Sequence, residues 1–144
     1  MRLSAKAQYA CVAMVDLACH HGAASPIHLK DIADKHGISQ RFLVQILLQL
    51  KGAGLVDSTR GATGGYLLAQ PPSEISLADI VHAIDQPPPP APSALSGLYA
   101  TTVVQIVSDS LQGAQDREQL RLAEITLEEL VKQNHQRSEI AYQI

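Results

Sequence analysis

Arg60, beside the glycine-rich turn Gly61-Ala62-Thr63-Gly64-Gly65, and Ser39-Gln40-Arg41, ahead of an apolar helical run, are the residues best placed to do chemistry in this chain. A guanidinium on a thin turn fits a narrow groove between phosphate chains. Gln and Arg in the first turn of a helix reach base edges in a major groove, while Ser39 and backbone amides hold phosphate. The chemistry on offer is polyanion recognition rather than bond making. The sequence has no paired carboxylates in a plausible pocket, no nucleophile motif and no phosphate loop, which argues against an enzyme.

Two further sets of side chains were weighed for metal or redox chemistry. His20, His21, His28 and His36 lie close together, but His20 and His21 point about 100° apart on a helix and no pair has ligand spacing, so no metal site is expected. Cys11 and Cys19 are the only two cysteines. Eight helical residues rise about 12 Å, beyond the roughly 7 Å limit for bridged Cα atoms, so they cannot pair with each other. They read as buried thiols in a reducing compartment, with a redox response as the open alternative.

The elements that must position these residues follow from periodicity. Ser4 caps a helix running through His21, with Ala10, Ala13, Met14, Leu17 and Ala18 at three- and four-residue spacing. Leu29, Ile32, Ala33 and His36 form one face of a short second helix ended by Gly37. Ser39 caps a third, with Phe42, Leu43, Ile46, Leu47 and Leu50 facing inward. Ala33, Gly37 and Ile38 sit where a helix-turn-helix needs a small crossing residue, a turn and an apolar plug. Val56 and Ser58, then Tyr66 and Leu68, predict two antiparallel strands, and Gly61, Gly64 and Gly65 are expected to supply unusual backbone angles between them. Helix, turn, helix and β-ribbon in this order predict a winged helix.

Beyond the ribbon, the box Ser76-Leu-Ala-Asp79 opens a helix through Ile84. Residues 86–97 are Pro-rich and expected to be an extended or mobile loop, either a stiff spacer or a ligand for a Pro-binding module. A long helix is predicted from about Leu98 to Gln119, with Val103, Val104, Ile106, Val107 and Leu111 as an apolar stripe. That stripe either packs back on its own domain or pairs with a second chain, and pairing is favoured because a dimer lets two heads read adjacent major grooves. Thr126-Leu-Glu-Glu129 opens a last helix, and residues beyond Asn134 read as a polar, frayed tail.

The whole is one domain with an appended element: a head over 1–85, the loop 86–97, the two C-terminal helices over 98–134 and a tail over 135–144. The fold class is mainly α with a small β-wing. Its 144 residues carry a net charge of −3, which hides an asymmetry. Residues 1–72 hold seven Lys/Arg (2, 6, 30, 35, 41, 51, 60) against four acids (16, 31, 34, 57). Residues 73–144 hold four (117, 121, 132, 137) against ten. A basic head on an acidic body suits a polyanion partner. The basic, apolar N-terminus superficially resembles a signal peptide, but Asp16 interrupts it and no cleavage-like site follows. With no segment of spanning length, the chain is expected to be cytoplasmic.

Met1-Arg2-Leu3-Ser4-Ala5-Lys6, Tyr9-Ala10, Asp31-Ile32-Ala33, Gly37-Ile38-Ser39, Gly54-Leu55-Val56 and Arg60-Gly61 with Gly64-Gly65-Tyr66-Leu67-Leu68-Ala69 occur in the order of a known family. Over residues 1–85 the chain resembles the Rrf-two (Rrf2) family of bacterial winged-helix transcriptional regulators, the group of IscR, NsrR and CymR. The resemblance implies a homodimer on a palindromic double-stranded operator, more often repressing than activating. It implies DNA contacts from Lys6, Tyr9, Ser39, Gln40, Arg41 and Arg60, with Gly64 and Gly65 shaping the wing. Tyr66 lies beside them, with packing of the wing onto the core as its alternative role. Cluster-binding members carry three cysteines in the loop before the long helix, whereas residues 86–97 contain none. The expectation is therefore a member without an iron–sulfur cluster or other cofactor. A second departure is His28, a poor cap for the second helix. The alternatives are a winged helix used for protein contact and a metal- or redox-responsive sensor. As signals, a partner enzyme docking on the dimer, a small metabolite near the loop and thiol oxidation stay open.

Overall fold

Hydroxyl side chains start most of the helices, Thr126 before the last of them included. In the computed structural model, which describes residues 2–23, 25–61, 64–86 and 93–143, Ser4 opens α1 (Ala5–Cys19), Ser39 opens α3 (Gln40–Gly52), Ser76 opens α4 (Leu77–Ile84) and Thr101 opens α5 (Thr102–Glu124). Each accepts a hydrogen bond from a backbone N–H of the first turn, a donor that would otherwise have no partner. At Ser76 the box is complete, because Asp79 accepts the Ser76 N–H in return at 2.9 Å. His28 precedes α2 (Leu29–His36) without a side-chain cap, as its residue type predicts.

Between α2 and α3, Gly37 takes φ +71° and ends the helix, and the Ile38 N–H donates to the Ala33 carbonyl at 3.0 Å. Buried Ile38 and Ala33 fill the angle between the helices. The wing follows as β1 (Val56–Thr59) and β2 (Gly65–Leu68), antiparallel, with Val56 opposite Leu68 and Ser58 opposite Tyr66. A residue outside the expected ribbon joins it. Ile27 exchanges two backbone hydrogen bonds with Tyr66, at 2.9 and 2.8 Å, and so adds a one-residue bridge to the other edge of β2.

The core is aliphatic, as the near absence of aromatics requires. Ala7, Ala10, Ala13, Met14 and Leu17 of α1 meet Ile32, Leu43, Ile46, Leu47, Leu50, Ile80 and Leu127, all essentially without solvent contact. Alanines on α1 let its neighbours approach closely, which makes α1 the axis of the head. An antiparallel bridge between Ser76 and Thr126, with hydrogen bonds of 2.9 Å from Leu77 to Ile125 and from Leu127 to Ile75, returns the chain to this core. It sets α6 (Leu127–Gln143) against α1.

Three expectations need correction. The long helix begins at Thr102 instead of Leu98, because Thr101 supplies the cap, and it runs on to Glu124. The supposed frayed tail is helical through Gln143, because residues 135–143 contain no Gly or Pro to end the helix. Ala94–Gly97, read as loop, forms a 3-10 turn capped by Ser93. The proline run at 87–90 lies outside the described residues.

Candidate nucleic-acid interface

The residues expected to face DNA sit at the N-terminal ends of α1 and α3 and on the wing. Ser4 fixes the first of these. Its N–H and hydroxyl both donate to the Asp85 carboxylate, at 3.0 and 2.6 Å, while its oxygen caps α1. The carboxylate at the end of α4 thereby anchors the turn that carries Lys6. One helical turn on, Tyr9 meets Phe42 edge to face, with ring centroids 5.7 Å apart and planes at 88°. Phe42 belongs to the first turn of α3, so this pair ties α1 to the turn that presents Gln40 and Arg41.

Along α3, alternate faces separate cleanly. Leu43, Ile46, Leu47 and Leu50 are buried, whereas Gln40, Arg41, Val44, Gln45 and Leu48 are exposed. Val44 and Leu48 were not foreseen as surface residues. The signal was present, since they follow Gln40 and Arg41 at helical spacing on the face opposite the core. An exposed aliphatic side chain on such a helix can contact a thymine methyl group.

At the wing, the three glycines do different work. Gly61 has φ +100° and open space around it, so it provides conformation. Gly65 does not have positive φ, contrary to expectation. A Cβ on Gly64 would collide with the backbone of Thr59 and Arg60, and one on Gly65 with the Ile27 carbonyl. They permit close approach. Thr59 closes the ribbon by accepting the Gly65 N–H at 3.2 Å, and Arg60 stands exposed at its end. Ala62 and Thr63 of the tip lie outside the described residues. Tyr66 is half-buried and packs against the core.

Among the described residues, Lys6, Arg41 and Arg60 form no ion pair, in contrast to Lys35, Arg121 and Lys132. Every member of the sequence-predicted DNA set lies at the start of α1, the start of α3 or the wing, and Tyr66 is the wing member that also packs on the core.

The long helix α5 has no buried residue. Val103, Ile106, Val107 and Leu111 are 70, 60, 42 and 57% exposed, and Val104 is half-exposed. The helix touches its own chain mainly through α4, where His82 Nε2 and Gln119 Oε1 lie 3.1 Å apart. No helix among the described residues is long and apolar enough to cross a membrane, and none of their His, Cys, Asp and Glu side chains gather in threes as a metal site would require. The two thiols lie on α1. Burial pushes Cys11 up to about 11 and also raises Cys19, where the nearby Asp16 charge adds to the effect.

Comparison with known proteins gives this geometry a context. The Rrf2 family model, described as an iron-dependent transcriptional regulator, matches residues 3–133. The transcriptional regulator IscR of Photorhabdus laumondii is 44% identical over 86 residues, 60% of this chain and 52% of that protein. The chain thus spans about half the length of the curated relatives it matches. The solved structure of CymR, the global cysteine regulator of B. subtilis, is similar with a TM-score of 0.79 and 32% identity, covering 92% of this chain and 97% of that one. T. potens IscR is similar with a TM-score of 0.72 and 34% identity, covering 93 and 88%.

Proposed function

We propose, from the premise that the chain belongs to the Rrf2 family of winged-helix transcriptional regulators, that it is a homodimeric, sequence-specific DNA-binding repressor that works without an iron–sulfur cluster. The observation that carries this reading is the exposed face of α3 together with Lys6, Arg41 and Arg60, none of which forms an ion pair among the described residues. Gln40 and Arg41 read base edges, Val44 meets a thymine methyl, Ser39 and Lys6 hold phosphate, and Arg60 enters the minor groove beside the site. Tyr9 supports the reading turn from behind, and Gly64 and Gly65 keep the wing thin enough to follow the groove.

The apolar stripe of α5 supplies the dimer. A surface of Val and Leu this exposed is stable only when covered, and a second copy covers it while setting two heads on successive major grooves. A palindromic operator follows from that symmetry.

The donor set does not fit a cluster held by thiolates. Such a cluster needs several deprotonated cysteines. The chain has two, eight residues apart on one helix and held protonated by burial. Reversible oxidation of these thiols is disfavoured for the same reason, since the thiolate is the reactive form. A partner enzyme docking on the dimer stays compatible with this reading.

A salt titration of binding to duplex DNA tests the function, with iron measured on the same preparation. Affinity should fall with salt at a slope of about −0.9 per phosphate contact, and Arg60→Ala should cost roughly 1–3 kcal/mol. Affinity that does not respond to salt would favour a winged helix used for protein contact. Stoichiometric iron would refute the cluster-free assignment.

A further inference from the structure

A cavity of about 440 Å³ opens between α1, α2, α4 and α6, away from the DNA face and the α5 stripe. Its walls are Val12, Val15, Leu77 and Leu130, together with the Cys11 and Cys19 thiols, which behave as small apolar groups while protonated. The polar lining is the hydrogen-bonded cluster of Asp16, Lys35 and His36, with Asn134 on α6 reaching the Cys19 sulfur. An apolar body with a few convergent polar groups is the usual design of a small-molecule site, and the volume is in the usual range.

The polar cluster selects the head group. Asp16 is 96% shielded and has a partner on each oxygen, His36 Nε2 on Oδ2 at 2.9 Å and Lys35 Nζ on Oδ1 at 3.3 Å, while His20 Nδ1 lies 2.8 Å from the Asp16 backbone carbonyl. Asn134 directs its amide N–H to the Cys19 sulfur at 3.5 Å. Lys35 makes this one ion pair, and its side chain is 59% exposed, which leaves ammonium N–H groups available. The mouth therefore offers a cationic donor beside a carboxylate that is shielded from solvent and engaged on both oxygens.

We infer that this cavity binds a small carboxylic acid with an aliphatic tail, its head on Lys35 and its tail between α1 and α6. Such a ligand would lie between the helix that begins with Lys6 and Tyr9 and the helix that follows α5. Occupancy then couples to DNA affinity, and DNA to ligand affinity, by the same factor. The coupling rests on the regulator reading above, whereas binding itself does not.

The test uses octanoate, with 1-octanol and octylamine as probes of equal tail and different head, added to the full chain without DNA. Methyl resonances of Val12, Val15, Leu77 and Leu130 should shift on adding octanoate. Octylamine should bind more weakly. Lys35→Met, at an exposed side chain, should weaken octanoate about tenfold and leave octanol unchanged. Leu130→Phe, which fills the cavity, should weaken both. Equal binding of octanol and octanoate, preference for octylamine, unmoved methyls at saturating octanoate, or an indifferent Lys35→Met would each overturn the site. Because no DNA is present, these outcomes are independent of whether the chain is a regulator. With a selected operator added, octanoate should change affinity several-fold, and unchanged affinity would overturn the coupling.

Discussion

The Gly65 and Ile27 backbones are in direct contact. The Tyr66 N–H donates to the Ile27 carbonyl at 2.8 Å, and a Cβ on Gly65 would collide with that same carbonyl. The wing is therefore held to the head by a strand rung that tolerates no side chain at this position. Gly65→Ala should destabilise the protein by about 1–3 kcal/mol, as overpacking does, and should weaken DNA binding beyond the loss of folded protein. Gly61→Ala meets open space and bears only the cost of its positive φ. Urea unfolding of the two variants, with Gly65→Ala the less stable, checks the assignment.

Asp16 is the second anchor. It is buried on α1 and receives His36 and Lys35 from α2, so it fixes the first half of the helix-turn-helix against the axis of the head. Asp16→Asn removes the charge that both partners address and should lower stability by roughly 1–3 kcal/mol in denaturant unfolding. Lys35→Met, whose ammonium is largely solvated, should cost less than about 1 kcal/mol.

How much of this was legible in the sequence depends on range. Ser4, Ser39 and Ser76 announce their helices because capping is local chemistry, and the Val56–Leu68 register follows from alternation across a short turn. The roles of Asp16 and Asp85 were not legible. Each is a carboxylate whose partners lie far along the chain, and in the sequence Asp16 only interrupts an apolar run. Ile27 was missed because one strand-like residue beside a proline has no period. Gly64 and Gly65 were noticed, but for their backbone angles, since close approach cannot be seen without the neighbour that approaches. The cavity between α1 and α6 depends on the Ser76–Thr126 bridge, which no local pattern encodes.

Cys11 gives the pH dependence. Its thiol is raised from 9.0 to about 11 by burial. A group whose folded value is raised contributes stability that is present below its unfolded value and lost as pH climbs through the folded one. Stability should therefore decline between pH 9 and about 11, and the decline should shrink in Cys11→Ala. Alkylation of Cys11 in the native protein should be slow at pH 7 and accelerate with pH up to the same value. Rapid, pH-independent modification at neutral pH would contradict a buried thiol.

The α5 stripe predicts the assembly state. Ile106→Glu with Val107→Glu places charge on exposed apolar positions that touch no core, so the head should stay folded. The double variant should sediment as a monomer and weaken operator binding by at least about tenfold, because the second head no longer binds in concert. A variant that remains dimeric would move the interface elsewhere.

The central claim is that the exposed face of α3 and the wing read a specific DNA sequence as a symmetric pair. Selection from a random duplex library by the purified protein, read by sequencing, tests it most directly. The account predicts an enriched palindrome with half-sites about one helical turn apart, lost in Arg41→Ala with Arg60→Ala. A library that emerges without enrichment from a folded dimer would contradict it.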